Sequence, residues 1–122
     1  MANKIIITET DYQKISSLVY ALETETTKLL EGELDRAEIV EDEALPKDVV
    51  AMNSIVKFKD LEDNSESSVT LVYPHEANIE LNKVSVLAPI GAALIGLRVG
   101  ETINWPMPNG KKKSLKVEGV NK

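Results

Sequence analysis

The sequence predicts an α+β protein: a short antiparallel helical hairpin over residues 1–46, then an antiparallel sheet holding one short helix over residues 47–122. Two patterns indicate this fold class. Apolar residues recur at helical spacing in the first third of the chain, whereas β-branched runs and apolar alternation fill the rest. Pro46 lies where one pattern gives way to the other, and proline does not continue a helix. We therefore predict two domains that meet at this proline.

The hairpin is predicted to begin at Thr8, which can cap a helix, with Asp11 at the partner position of a capping box. The first helix carries apolar residues at helical spacing on one face: Tyr12, Ile15, Leu18, Val19 and Leu22. The run 23–27 breaks this pattern and predicts the tip of the hairpin. A second helix is predicted from a further apolar series: Leu29, Leu30, Leu34, Ala37 and Val40. Its signals fade at residues 41–43.

The remainder of the chain changes to the period of strands. Strands are predicted at 49–52, 56–59, 69–73, 84–88, 102–105 and 114–117. A polar turn is predicted at 60–65, and a second turn at 108–111, where Asn109-Gly110 supplies positive φ angles. A short helix is predicted near residues 92–95, before the strand at 102–105, and Gly96 is placed to end it.

Composition limits the class of protein. The hydrophobic fraction of 43% can build a core, but aromatic residues make up only 4% and leave its filling to Val, Ile and Leu. The absence of cysteine excludes disulfides, thiolate metal sites and cysteine nucleophiles. No apolar run is long enough to span a membrane, and the apolar stretch at residues 5–7 is too short for a secretory signal. We therefore expect a cytoplasmic protein with no membrane contact.

The net charge of −6 is unevenly distributed along the chain. Residues 1–50 carry a net charge of −7, whereas residues 51–122 carry +1. An acidic protein repels nucleic acid at long range, so specific DNA binding is disfavoured. Docking on a basic protein surface remains open, as does the alternative that these carboxylates only solvate the helices.

The sequence offers few residues for catalysis or metal binding. His75 is the single histidine, which cannot build a histidine-rich metal site, and no serine with an evident base is present. Glu23 and Glu25 at the predicted tip could bind Mg²⁺ weakly as a pair, or be solvated tip residues without a ligand. We expect no catalytic residue, no metal site and no cofactor.

The most distinctive stretch of the chain is residues 85–101. A β-branched run leads into Pro89, and a short apolar helix follows. Gly96 is placed to stop that helix, and a turn at residues 99–101 leads into a new strand. This stretch resembles the characteristic segment in the C-terminal domain of bacterial transcript-cleavage factors of the GreA/GreB family. Three further segments, 34–40, 56–58 and 105–110, resemble the end of the coiled coil, the first strand and the final hairpin of those proteins.

Over its whole length the chain is similar to the Rnk type, the regulators of nucleoside diphosphate kinase. The residues that carry this resemblance lie at 5–7, 33–37, 46–50, 52–54, 71–74 and 88–100. The resemblance implies a short helical hairpin joined to an FKBP-like C-terminal domain, and binding to RNA polymerase at its secondary channel. It also implies that a docking surface lies at Ala88, Pro89, Ile90, Gly91 and Leu94. The alternative is that Ile90 and Leu94 seal the core beneath the short helix.

Hairpin length decides between the mechanisms that the resemblance allows. Cleavage-stimulating Gre factors carry acidic residues on a long coiled-coil tip that reaches the polymerase active site. Here the first helix spans about fourteen residues, or roughly 21 Å, so Glu23 and Glu25 would stop short of the scissile phosphate. We predict a monomeric regulator that binds RNA polymerase without cleavage activity and competes with Gre factors. The alternatives are a true cleavage factor, or a peptidyl-prolyl isomerase, which would need more aromatic residues than Phe58, Trp105 and three tyrosines.

Overall fold

The computed structural model describes residues 4–107 and 110–121. Its strands and helices follow one another in the order β1 (Ile6–Thr8), α1 (Glu9–Ala21), α2 (Glu25–Arg36), β2 (Glu38–Val40), β3 (Ile55–Asp60), β4 (Glu66–Val72), β5 (Lys83–Ser85), α3 (Pro89–Leu94), β6 (Thr102–Pro106) and β7 (Lys112–Asn121). Short 3-10 turns lie at Asp42–Ala44, Pro74–Glu76 and Ile79–Leu81. The predicted order, helical part first and sheet with one short helix second, is confirmed.

The start of the hairpin agrees with the sequence. The side-chain oxygen of Thr8 accepts a hydrogen bond from the backbone N–H of Asp11 at 3.1 Å and caps α1. The tip is shorter than predicted, because Thr24 and Thr27 form a reciprocal capping box that starts α2 at Glu25. The tip is therefore residues 22–24, and the prediction that it extends to Thr27 is wrong.

The end of α2 also differs from the prediction. The helix ends at Arg36, and residues 38–40 form β2, which pairs in parallel with β1. The backbone N–H of Glu38 donates to the carbonyl of Ile5 at 2.9 Å, so the chain beyond the helix satisfies the peptide groups of β1. Helical spacing alone does not reveal this, because Val40 fits the apolar series of α2 as well as it fits a strand.

The main sheet has five strands in the order β5-β4-β3-β7-β6. The pairs β3–β4, β3–β7 and β6–β7 are antiparallel, as predicted. The pair β4–β5 is parallel, so the sheet is mixed and the prediction of a purely antiparallel sheet is wrong at this edge. The cause is the long connection after β4, in which two 3-10 turns carry the chain back before β5 begins.

Two of the predicted strands do not form as expected. Residues 49–52 contribute only an isolated bridge between Val49 and Arg98, and residues 86–88 form a turn into α3. The remaining predicted strands are confirmed within a few residues at their ends. Of the second predicted turn, Pro108 and Asn109 lie outside the described residues.

One hydrophobic core joins the helical part to the sheet. Its buried members come from both parts, among them Ile5, Ile15, Leu30 and Leu34 from the first, and Val50, Phe58, Leu94 and Leu115 from the second. The predicted division into two domains at residue 46 therefore remains a prediction about independent folding, which an experiment has to test against this shared core. None of the described helices is long and apolar enough to cross a membrane.

Candidate docking segment and hairpin tip

The distinctive segment is placed by a glycine in α3. A Cβ atom at Gly91 would lie 2.1 Å from the carbonyl oxygen of Ser85, so only glycine lets the helix approach the end of β5 this closely. The backbone N–H of Ala88 donates to the same carbonyl at 3.0 Å. Pro89 occupies the first helical position, where its missing N–H costs no hydrogen bond.

A second glycine, Gly96, connects this segment by backbone hydrogen bonds to the start of the helical part and to the chain before β3. Gly96 has a φ of +80°, and a Cβ atom there would lie 2.5 Å from the Cβ of Ile5. Its carbonyl accepts from the N–H of Ile6 at 3.1 Å, and its N–H donates to the carbonyl of Val50 at 3.0 Å. The chain reversal after α3 is therefore the point where β1, the segment before β3 and α3 meet.

The predicted docking residues divide into two groups. Ala88, Pro89 and Ile90 are half-buried, and Ile90 also packs against the core. Gly91 is buried and Leu94 is fully buried. For Leu94 the structure shows the packing role that the sequence left open, and docking by the remaining residues stays a prediction.

The hairpin tip is solvated. Glu23 in the loop and Glu25 in the first turn of α2 are both exposed. The position of Glu25 at a helix N-terminus is favourable for a negative charge. Among the described residues no group of three or more His, Asp and Glu side chains is placed to hold a metal ion. Glu23 and Glu25 thus place accessible negative charge near the end of α1, a helix of 13 residues that is about 20 Å long.

A hydrogen-bonded contact between α1 and the sheet part was not predicted. The carboxylate of Asp11 accepts from the hydroxyl of Tyr73 at 3.1 Å and from the N–H of Met52 at 3.4 Å. Burial, together with the negative charge and hydrogen bond of Asp11, raises the pKa of Tyr73 above its ordinary value of 10.0. The sequence reveals Asp11 only as a capping residue, because no local pattern relates positions 62 residues apart.

Comparisons with known proteins agree with this arrangement. The family described as "Transcription elongation factor, GreA/GreB, C-term" matches residues 45–122, and the family described as "Rnk N-terminus" matches residues 3–40. A solved structure of a prokaryotic GreA/GreB transcription elongation factor from Nitrosomonas europaea superimposes with a TM-score of 0.80. That match has 38% sequence identity and covers 99% of this chain and 100% of the other.

Two curated relatives show how far the similarity extends. The regulator of nucleoside diphosphate kinase of Escherichia coli K12 is 44% identical over 117 residues, which is 93% of this chain and 85% of that protein. The transcription elongation factor GreA of Clostridium botulinum (strain Langeland) is 42% identical over 84 residues, or 69% of this chain but only 52% of that protein. The chain belongs to the GreA/GreB family and, within it, to the regulators of nucleoside diphosphate kinase of the Rnk type.

Proposed function

We propose that this protein binds bacterial RNA polymerase at the rim of its secondary channel and regulates transcription there without stimulating transcript cleavage. The family relationship over nearly the whole chain supports a transcription regulator. In this proposal the protein acts as a monomer in the cytoplasm, makes no specific DNA contacts of its own, and competes with Gre factors for the channel.

The length of the hairpin is the observation that carries the mechanism. Helix α1 has 13 residues and is about 20 Å long. The match to GreA covers only about half of that longer protein. Carboxylates act on a reacting group only when they are held within a few ångströms of it. Glu23 and Glu25, on a hairpin this short, would therefore enter the channel part-way and leave the active site untouched.

The half-buried residues at the start of α3 are the proposed contact with the polymerase. Pro89 and Ile90 present apolar surface beside the buried Gly91. A small apolar surface of this kind can anchor an interface when the partner covers it and removes its water. Leu94 is fully buried in the core, so its side chain is not part of this proposed contact.

The docking proposal is tested by competition with GreA for core RNA polymerase. Ile90→Asp should weaken binding at least about thirtyfold, since an interface anchor is worth about 2 kcal/mol and the charge would be desolvated. Ile90→Ala covers the case in which the charged variant unfolds, as monitored by circular dichroism. Ile79→Asp is the matched control, because Ile79 is 91% exposed and lies in the turn Ile79–Leu81, outside the proposed docking segment. Equal binding by a folded Ile90→Asp variant and the native protein would place the docking surface elsewhere.

The absence of cleavage is tested on a backtracked elongation complex with Mg²⁺. Transcript length should stay unchanged when the protein is added, while GreA as a positive control shortens the transcript. Rapid shortening by this protein that disappears in Glu23→Ala or Glu25→Ala would contradict the mechanism and identify the protein as a cleavage factor.

A further inference from the structure

An open groove with a mostly apolar lining lies between α1 and the turn that follows β4. It has a volume of about 510 Å³ and is lined by Lys14, Ser17, Leu18, Tyr73, Pro74 and His75. Leu18 and Tyr73 are half-buried, and the other four residues are exposed, so a partner can reach every wall from solvent. Apolar surface that stays open to water in a folded chain is typical of an interaction site. We call this site the Lys14 groove.

The charge of the groove comes from Lys14. Its Nζ atom lies 5.7 Å from the centroid of the Tyr73 ring, a distance at which a cation is attracted to the ring face. Among the residues that the structure describes, Lys14 forms no ion pair with a carboxylate. Asp11 is engaged by the Tyr73 hydroxyl and the Met52 N–H, and neither Asp11 nor Glu76 lines the groove. The ammonium group of Lys14 is therefore available to a carboxylate from outside.

The groove opens at the same edge of the sheet as the proposed docking segment. Strands β4 and β5 are parallel, Val72 pairs with Ser85, and the N–H of Val86 donates to the carbonyl of Val72 at 2.8 Å. The carboxyl ends of parallel strands lie at one edge of a sheet. Tyr73 thus leaves the sheet at the edge from which the chain continues towards residues 88–90.

We propose that the Lys14 groove is a second contact with RNA polymerase, and that it receives an apolar side chain of the polymerase adjacent to an aspartate or glutamate. This inference rests on the proposed function. The apolar side chain would lie against Leu18, Pro74 and the Tyr73 ring, and the carboxylate would pair with Lys14. Charge favours this occupant, because a basic residue in the same place would be repelled by the ammonium group.

The contribution of the charge is tested by competition with GreA for core RNA polymerase. Lys14→Glu should weaken binding about tenfold at low salt and less at high salt, because salt screens the interaction. Lys14→Arg keeps the charge and should bind like the native protein. Lys47→Glu is the matched control, because it makes the same change of charge at an exposed lysine that does not line the groove. Circular dichroism checks the fold, and Lys14→Gln replaces Lys14→Glu if that variant does not fold.

The occupant is identified by photocrosslinking from inside the groove. The photoreactive residue p-benzoylphenylalanine is introduced in place of Ser17, which is exposed and lines the groove. Irradiation of the full-length variant bound to core RNA polymerase should give a crosslink to the polymerase, located by mass spectrometry. The crosslinked segment should carry an apolar residue next to an aspartate or glutamate. A crosslink to a segment without an acidic residue, or none from a variant that binds, overturns the inference.

The two proposals fail in different ways. Native binding by a folded Lys14→Glu variant, together with weak binding by Ile90→Asp, overturns the contact at the groove and leaves the proposed function standing. If the native protein does not compete with GreA at all, the proposed function and the contact at the groove are both overturned.

Discussion

The segment at residues 88–97 and the hairpin tip at residues 22–24 are the two regions to which the sequence draws attention, and they are held in opposite ways. Residues 91–97 are all buried, and two glycines there permit contacts that no other residue allows. The tip is exposed, and its form depends on threonine caps at the start of α2. A distinctive stretch of sequence can therefore reflect the demands of packing, while the surface that a partner could touch is reduced to a few residues at its edge.

Glycine shows the same contrast within helices. Gly91 in α3 is enclosed by the backbone of β5, whereas Gly32 in α2 has only the end of the Arg36 side chain within 4 Å, at 3.8 Å. One glycine is required by tertiary packing, and the other only weakens its helix. The comparison thus separates residues that define the fold from residues that merely occur in it.

Removing residues 1–46, which include the hairpin tip, tests how far residues 47–122 depend on the helical part, and it has the largest expected effect. Residues 47–122 should still unfold cooperatively, because they contain the complete five-stranded sheet. We expect a loss of about 3 kcal/mol or more, roughly 15 °C in Tm, since the removed part contributes Ile5, Ile15 and Leu30 to the shared core. Thermal unfolding followed by circular dichroism measures it. A non-cooperative transition would contradict the predicted domain division.

Gly91→Ala should destabilise the protein by about 3 kcal/mol, because the new methyl group would meet the Ser85 carbonyl at 2.1 Å. Gly32→Ala is the matched control and should stabilise the protein by roughly 0.5–1 kcal/mol, since its site has ordinary space for a methyl group. Urea unfolding of both variants measures the difference. Equal effects would mean that α3 can move away from β5 at little cost.

Gly96→Ala should cost about 2 kcal/mol or more through a positive φ of 80° and a methyl contact with Ile5. Gly100→Ala separates the two causes, because Gly100 has a φ of 93° but nothing within 4 Å of the added atom. Its cost should be near 1 kcal/mol. The difference between the two free energies of unfolding measures the contact between Gly96 and Ile5. Its absence would show that the chain at Ile5 moves away from the added methyl group at little cost.

Tyr73→Phe should destabilise the protein by only about 1 kcal/mol at neutral pH, through loss of the hydrogen bond to Asp11. Because the pKa of Tyr73 is raised in the folded state, its contribution is complete below the ordinary value of 10.0 and is lost as the pH rises beyond it. The variant should therefore lose less stability than the native protein between neutral pH and about pH 11. If the free energies of unfolding of the variant and the native protein depend on pH in the same way, the assigned contact between Tyr73 and Asp11 is contradicted.

The sequence by itself determined the elements that depend on local chemistry. Thr8 caps α1 as its side chain predicts, and Gly96 ends the short helix with the positive φ that glycine tolerates. Alternation and β-branched residues indicated most strands of the main sheet, since the two faces of each strand differ in burial. The family resemblance rested on short segments, at 5–7, 33–37, 46–50, 52–54, 71–74 and 88–100, and the comparisons confirmed it.

The tertiary structure alone decided where distant segments meet. The parallel pairing of β1 with β2 and of β4 with β5 depends on backbone hydrogen bonds, which leave no mark in side-chain periodicity. The burial of Leu94 and the joint between Asp11 and Tyr73 depend on neighbours that are remote along the chain. A local pattern reports how each residue fits its own element, whereas a site arises when packing brings separate elements together.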